Sequence, residues 1–167
     1  GNYIGRLTPA GGDAGAGEGN GGDGIEVRGS GNTIGGSGAN DGNVISGNTG
    51  YGVYLQTGSS NTILGNYVGL DAAGTGAIAN GFSGISLGVG SDNNTIGGTG
   101  ANDGNVISGN TGSGIHIDVS DGNVVLGNYV GVSPTFNAGI DIHLKNIAVT
   151  PNLFASLLPP NAEFRIF

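Results

Sequence analysis

A 19-residue string occurs twice in this chain. Residues 32–50 read NTIGGSGANDGNVISGNTG and residues 94–112 read NTIGGTGANDGNVISGNTG, 62 positions later, with Ser37 against Thr99 the one difference. The same offset carries Gly52-Val53-Tyr54-Leu55 onto Gly114-Ile115-His116-Ile117, and NTILGNYVG at 61–69 onto NVVLGNYVG at 123–131. The opening GNYIG is one more copy of the last motif. Each 62-residue unit divides into two similar halves, so the fundamental unit is roughly 30 residues with three short apolar segments. No unit of this size buries its own apolar residues. Stacked neighbours do, and that is the architecture such a repeat imposes.

The segments alternate with period two, as strands do. Ile25 and Val27, Val53 and Leu55, Ile85 and Leu87, Ile115 and Ile117, and Ile140 and Ile142 each flank one outward residue. Ile34, Ile63, Ile96 and Val125 form a second inward column, and Ile4, Ile45, Val68, Ile107 and Val130 a third. Over nearly the whole chain no window has helical spacing, and 39 glycines in 167 residues oppose helix there, each costing about 1 kcal/mol at a helical site relative to Ala. So much Gly without a period would indicate disorder; with one, it supplies corners where the backbone needs positive φ. Asn32, Asn61, Asn94 and Asn123, and likewise Asn43, Asn66, Asn105 and Asn128, recur at fixed places beside the strands, which predicts amide ladders along the stack. The expected fold is all-β: a right-handed, single-stranded parallel β-helix of about five coils, occupying residues 1–149.

The strings GNTIGG, GNVISGNTGxGI and GNYVG resemble the parallel β-helix repeats of large secreted and cell-surface prokaryotic proteins, which are similar to the pectin-lyase superfold. The resemblance covers roughly residues 1–145. It implies an extracellular or cell-surface location and leaves the activity open, because that fold carries lyases, hydrolases, epimerases, adhesins and spacers. The lyases of the superfold use Ca²⁺-holding carboxylates and a basic residue on the outer strand face. Here Arg28 is the one cation expected on that face within the repeats, so the catalytic pattern is not matched.

After Ile142 the pattern weakens. Lys145–Val149 reads as a degenerate middle strand, Thr150-Pro151 as a helix start and Pro159-Pro160 as its stop, with Glu163–Phe167 as a strand in this molecule or against a neighbour. Residues 150–167 are thus expected to be a cap or an intersubunit contact. The other end begins within a strand motif, and open β-helix ends present unpaired backbone groups, so end-to-end self-association into a fibre is the expected partnership.

Charge narrows the partners further. With 12 acidic and 4 basic residues the net charge is −8, which argues against nucleic acid and against an anionic membrane surface. No apolar run has a membrane span's length. There is no Cys, hence no disulfide or thiolate metal site.

Alternation sends Glu26, Tyr54, Ser86, His116 and Asp141 outward in one column and Arg28, Gln56, Gly88, Asp118 and His143 in the next. Both histidines of the chain therefore fall on adjacent coils, with His116 expected beside Asp141 and Asp118 beside His143. Four such groups suit a divalent metal, an acid/base pair, or two cross-strand polar pairs. Asp41 and Asp103, in the recurring Asn-Asp-Gly-Asn loops, suit Ca²⁺ or simply tight turns. The column Thr33, Thr62, Thr95 suggests ice binding only faintly, since Val124 ends it. No cofactor is implied. The expected function is a structural solenoid of an extracellular or surface assembly; the alternative is a polysaccharide-acting β-helix enzyme or a glycan-binding module.

Overall fold

A computed structural model describes residues 1–131 and Asn137 with their side chains, and beyond them the backbone of three strands, Ile142–Lys145, Leu153–Ala155 and Phe164–Ile166. No helix occurs among the described residues. Sixteen short strands form three sheets, and every pairing between strands is parallel.

The first sheet is built from β2 (Ile25–Val27), β5 (Val53–Leu55), β8 (Ile85–Leu87), β11 (Ile115–Asp118), β14 (Ile142–Lys145) and β16 (Phe164–Ile166). The second holds β3 (Thr33–Gly35), β6 (Thr62–Leu64), β9 (Thr95–Gly97), β12 (Val124–Leu126) and β15 (Leu153–Ala155). The third holds β1 (Tyr3–Gly5), β4 (Val44–Ser46), β7 (Tyr67–Val68), β10 (Val106–Ile107) and β13 (Tyr129–Val130). Each coil contributes one strand to each sheet, so the chain winds as a parallel β-helix.

Through residue 130 the expected inward columns are present. Ile25, Val53, Ile85 and Ile115 lie in one register and Val27, Leu55, Leu87 and Ile117 in the next. Ile34, Ile63, Ile96 and Val125 align in the second sheet, and Ile4, Ile45, Val68, Ile107 and Val130 in the third. These residues make one continuous core, and from Ile45 to Val130 its members are fully buried. At about 25 cal/mol per Å² of apolar surface, this interior is the main stabilising term.

Both expected asparagine ladders form. In the first, Asn32, Asn61 and Asn94 each donate from Nδ2 to Oδ1 of the next copy, at 3.0, 3.1 and 3.1 Å. In the second, Asn2 leads into Asn43, Asn66, Asn105 and Asn128 at 2.8 to 3.0 Å. In these rungs the same Oδ1 also accepts the backbone N–H of the preceding Asn, so one amide satisfies two donors of the coil beside it. A third ladder was not anticipated: Asn20, Asn48, Asn80, Asn110 and Asn137, joined at 2.8 to 3.0 Å. Its members sit in dissimilar strings, NGG, NTG, NGF and NAG, which is why the repeat alone did not reveal it.

Gly35 shows why the corners need glycine. Its φ is +86°, and a Cβ there would lie 1.9 Å from the Leu64 carbonyl oxygen of the adjacent coil. The segment leading into residues 11–24 forms a small hairpin: Leu7 bridges Asp13, and Arg6 Nε pairs with the Asp13 carboxylate at 2.7 Å.

The later strands depart from expectation in two ways. Ile142, not Ile140, stands opposite Ile115, and Leu144 stands opposite Ile117. Where a helix is expected from Thr150, Leu153–Ala155 is instead β15, paired with β12 in the second sheet; of the middle strand expected at 145–149, Lys145 closes β14 and the rest lies outside the described residues. Phe164–Ile166 pairs with β14 of the same molecule. The exposed edge of β12 offers a row of backbone groups to any strand that can reach it, and Leu153–Ala155 pairs there.

Candidate functional site

The first sheet carries His116 and Asp118 on β11 and the backbone position of His143 on β14. Register gives the column Glu26, Tyr54, Ser86, His116, His143. In β11 the burial alternates, with Ile115 and Ile117 buried and His116 and Asp118 half-buried, so both polar groups project outward. His143 holds the register position opposite His116, and Lys145 that opposite Asp118. The expected pairings, His116 with Asp141 and Asp118 with His143, are thus replaced by a register two residues away; Asp141 itself lies outside the described residues. Of the set His116, Asp118, Asp141 and His143, the described side chains are those of His116 and Asp118.

Aromatic side chains gather on this face. Tyr51, just before β5, stacks on Tyr54 with ring centroids 4.9 Å apart and lies 5.2 Å from Phe82, which is 56% exposed. Asp23 accepts the Tyr51 backbone N–H at 2.7 Å and so fixes the turn that carries the ring. The Tyr54 hydroxyl reaches across to the next coil, where a Cβ on Gly88 would lie 2.9 Å from it. Burial raises the Tyr54 phenol above its ordinary value of 10.0, and the charges of Tyr51, Asp23, Glu26 and Asp118 raise it further. The phenol therefore stays protonated at neutral pH and is not a base. Arg28, the expected cation, turns back to Glu26, with Nε 2.9 Å from its carboxylate.

The two acidic loops are held as turns. Asp41 Oδ2 accepts the Gly38 N–H at 2.9 Å, and Asp103 Oδ2 accepts that of Gly100 at 2.7 Å. Each carboxylate oxygen used this way closes its own loop. The Thr33, Thr62, Thr95 column also forms, with Val124 next in register.

Three parallel sheets around a glycine-cornered apolar core define a β-helix repeat protein, and comparison with known families agrees. The model of the NosD family, described as "Periplasmic copper-binding protein (NosD)", matches residues 18–156. The chain belongs to the NosD family, and it is a periplasmic or surface β-helix protein of right-handed type. No curated protein and no solved structure matches the chain.

The family description raises the question of copper. Copper sites use imidazole nitrogen and, for Cu(I), thiolate or thioether sulfur. The chain has two His, no Cys and no Met. Among the described residues no group of three or more His, Asp or Glu side chains converges. Among the described residues no copper centre is assembled; the side chains of Asp141 and His143 lie outside them.

Proposed function

We propose that the chain is a structural β-solenoid of a periplasmic or surface assembly, a rigid rod that carries components on its outer faces and joins further coils at its ends. The observation that carries this reading is the set of three asparagine ladders running beside one unbroken apolar core. Every described coil is tied to the next through side-chain amides as well as strand hydrogen bonds, which favours stiffness over the opening and closing that catalytic sites often use.

End-to-end association is the finer part of the proposal. The outer edges of β1, β2 and β3 are edge strands, and Ile4, Ile25 and Ile34 line a shallow cavity of about 300 Å³ on that face. A further coil laid there pairs the edges and continues the ladders from Asn2, Asn20 and Asn32. Sedimentation and light scattering across a concentration series test whether a second copy supplies that coil: association growing with concentration is expected, and monomers at every concentration would remove the fibre from the reading.

Copper and catalysis are tested on the same preparation. Loading with Cu²⁺ followed by desalting is expected to leave no stoichiometric metal. Retention of one equivalent, lost in His116→Ala, would instead make the His116/His143 register pair a metal site, with Asp118 and Asp141 as the remaining candidate ligands. Release of unsaturated or reducing sugar from acidic polysaccharides, abolished by His116→Ala, would favour an enzyme.

A further inference from the structure

We propose that the outer face of the third sheet binds a neutral, β-linked polysaccharide chain lying along the solenoid axis. The register Tyr3, Val44, Tyr67, Val106, Tyr129 runs up this face, so tyrosine alternates with valine rung by rung. The alternation follows from the two halves of the repeat, GNYIG and GNYVG on one rung and GNVIS on the next. Successive tyrosines are therefore two strand spacings apart, roughly 9.6 Å.

These residues floor a groove of about 510 Å³, within the range of ligand-binding clefts. One wall is made by the duplicated loops on the valine rungs, 36–42 and 98–104. They meet over the two-residue turn Gly65-Asn66, where Asn102 Nδ2 donates to the Ser37 carbonyl at 3.1 Å and the Gly65 N–H donates to the Asp103 carbonyl at 3.0 Å. The other wall rises on the tyrosine rungs, from hairpins closed by Leu7↔Asp13 and Leu70↔Ala77 and joined to each other where Ala72 N–H donates to Gly11 O at 3.0 Å. Gly74 brings this hairpin close to the edge of the Tyr67 ring, where a Cβ would lie 2.8 Å from Cε1. Tyr3 and Tyr129 remain 47% and 52% exposed.

The chemistry of the lining selects the occupant. An aromatic floor accepts the C–H face of a pyranose ring, and the peptide groups and amides of Asn40 and Asn102 in the wall offer partners for equatorial hydroxyls. No Lys or Arg stands among the described lining residues, and the chain carries a net charge of −8, so a polyanionic chain is disfavoured. A β-1,4-linked chain is a flat ribbon in which every second sugar shows the same face, and its two-sugar repeat is close in length to the two-rung repeat of the tyrosines. An α-linked chain coils and loses that match.

The test uses the full chain with cellohexaose and chitohexaose as probes, maltohexaose and polygalacturonate as comparisons, and titration calorimetry with saturation-transfer NMR as readouts. Binding of at least one β-linked probe, with transfer from tyrosine ring protons, is expected. Tyr129→Ala, at the more exposed rung, and Tyr67→Ala should each weaken it about tenfold or more at unchanged circular dichroism, while Tyr54→Ala on the first sheet should leave it unchanged. Failure of both β-linked probes, binding indifferent to the Tyr67 and Tyr129 substitutions, or equal binding of polygalacturonate would overturn the proposal.

Discussion

Asn105 Oδ1 does not touch its neighbour's amide once but twice: it accepts the backbone N–H of Asn66 at 3.0 Å and its side-chain Nδ2 at 2.9 Å, across 39 residues of sequence. Asn105 Nδ2 in turn donates to Asn128 Oδ1 and to the Ile63 carbonyl, both at 2.8 Å. The residue is fully buried. Removing it leaves the Asn66 backbone N–H without its acceptor and takes one hydrogen bond each from Asn66 Nδ2, Asn128 Oδ1 and the Ile63 carbonyl, in a place water does not reach. Asn105→Ala is expected to destabilise by about 3 kcal/mol, whereas Asn32→Ala, at the exposed start of its ladder, should cost about 1 kcal/mol or less. Urea midpoints of the two variants check the difference, and equal losses would mean the ladder carries no cooperative weight.

Glycine positions of similar φ should respond very differently. Gly35 has φ +86° and a neighbouring carbonyl 1.9 Å from where a Cβ would sit; Gly31 has φ +73° and open space around it. Gly31→Ala meets conformational strain alone, about 1 kcal/mol. Gly35→Ala must also push Leu64 and its coil away, and it is expected to lower the melting temperature several times as far. Comparable shifts in thermal unfolding would show that the coils separate more easily than their contacts imply.

Val119 runs against its own preference. It is β-branched, 41% exposed, and holds φ at 46°, where Cβ crowds the following carbonyl. Asn tolerates this region, so Val119→Asn should stabilise the chain by about 1 kcal/mol, read as a higher melting temperature. A lower one would assign the valine a contact that outweighs its strain.

Tyr54 makes stability pH-dependent on the alkaline side. Its phenol is raised above 10.0 in the folded chain, so the folded state holds this proton more tightly than the unfolded state does. The contribution is complete below pH 10 and is lost as pH rises through the folded value. Urea midpoints measured on either side of pH 10 should fall with pH, and Tyr54→Phe should remove part of that slope. Identical slopes in the two proteins would place the cause elsewhere.

The inward half of this molecule was readable because burial leaves little choice. Ile63 and Ile96 point inward in a strand whose period is two, and a one-residue slip would put every apolar side chain in water. The misreading of β14 has the same origin. A slip of two residues keeps every side chain on its face, so Ile140/Ile142 and Ile142/Leu144 satisfy burial equally, and beyond residue 131 no repeated string remains to fix the offset. The third ladder was missed because Asn20 and Asn80 stand outside the duplicated string, although Asn48 and Asn110 stand within it.

The duplication and the two-residue period determined, without any coordinates, that this chain winds into stacked coils, which residues line its axis, and where two of its amide ladders run. These depend on nearest-neighbour rules that repeat in every coil. The tertiary structure decided what the outside looks like: that His116 and His143 share one register position, that Tyr51 reaches Tyr54 and Phe82, and that two distant loops join above Gly65 to wall a groove. Outward groups lose little by exposure to water, so burial does not constrain them, and only the register and the lengths of the intervening loops bring them together.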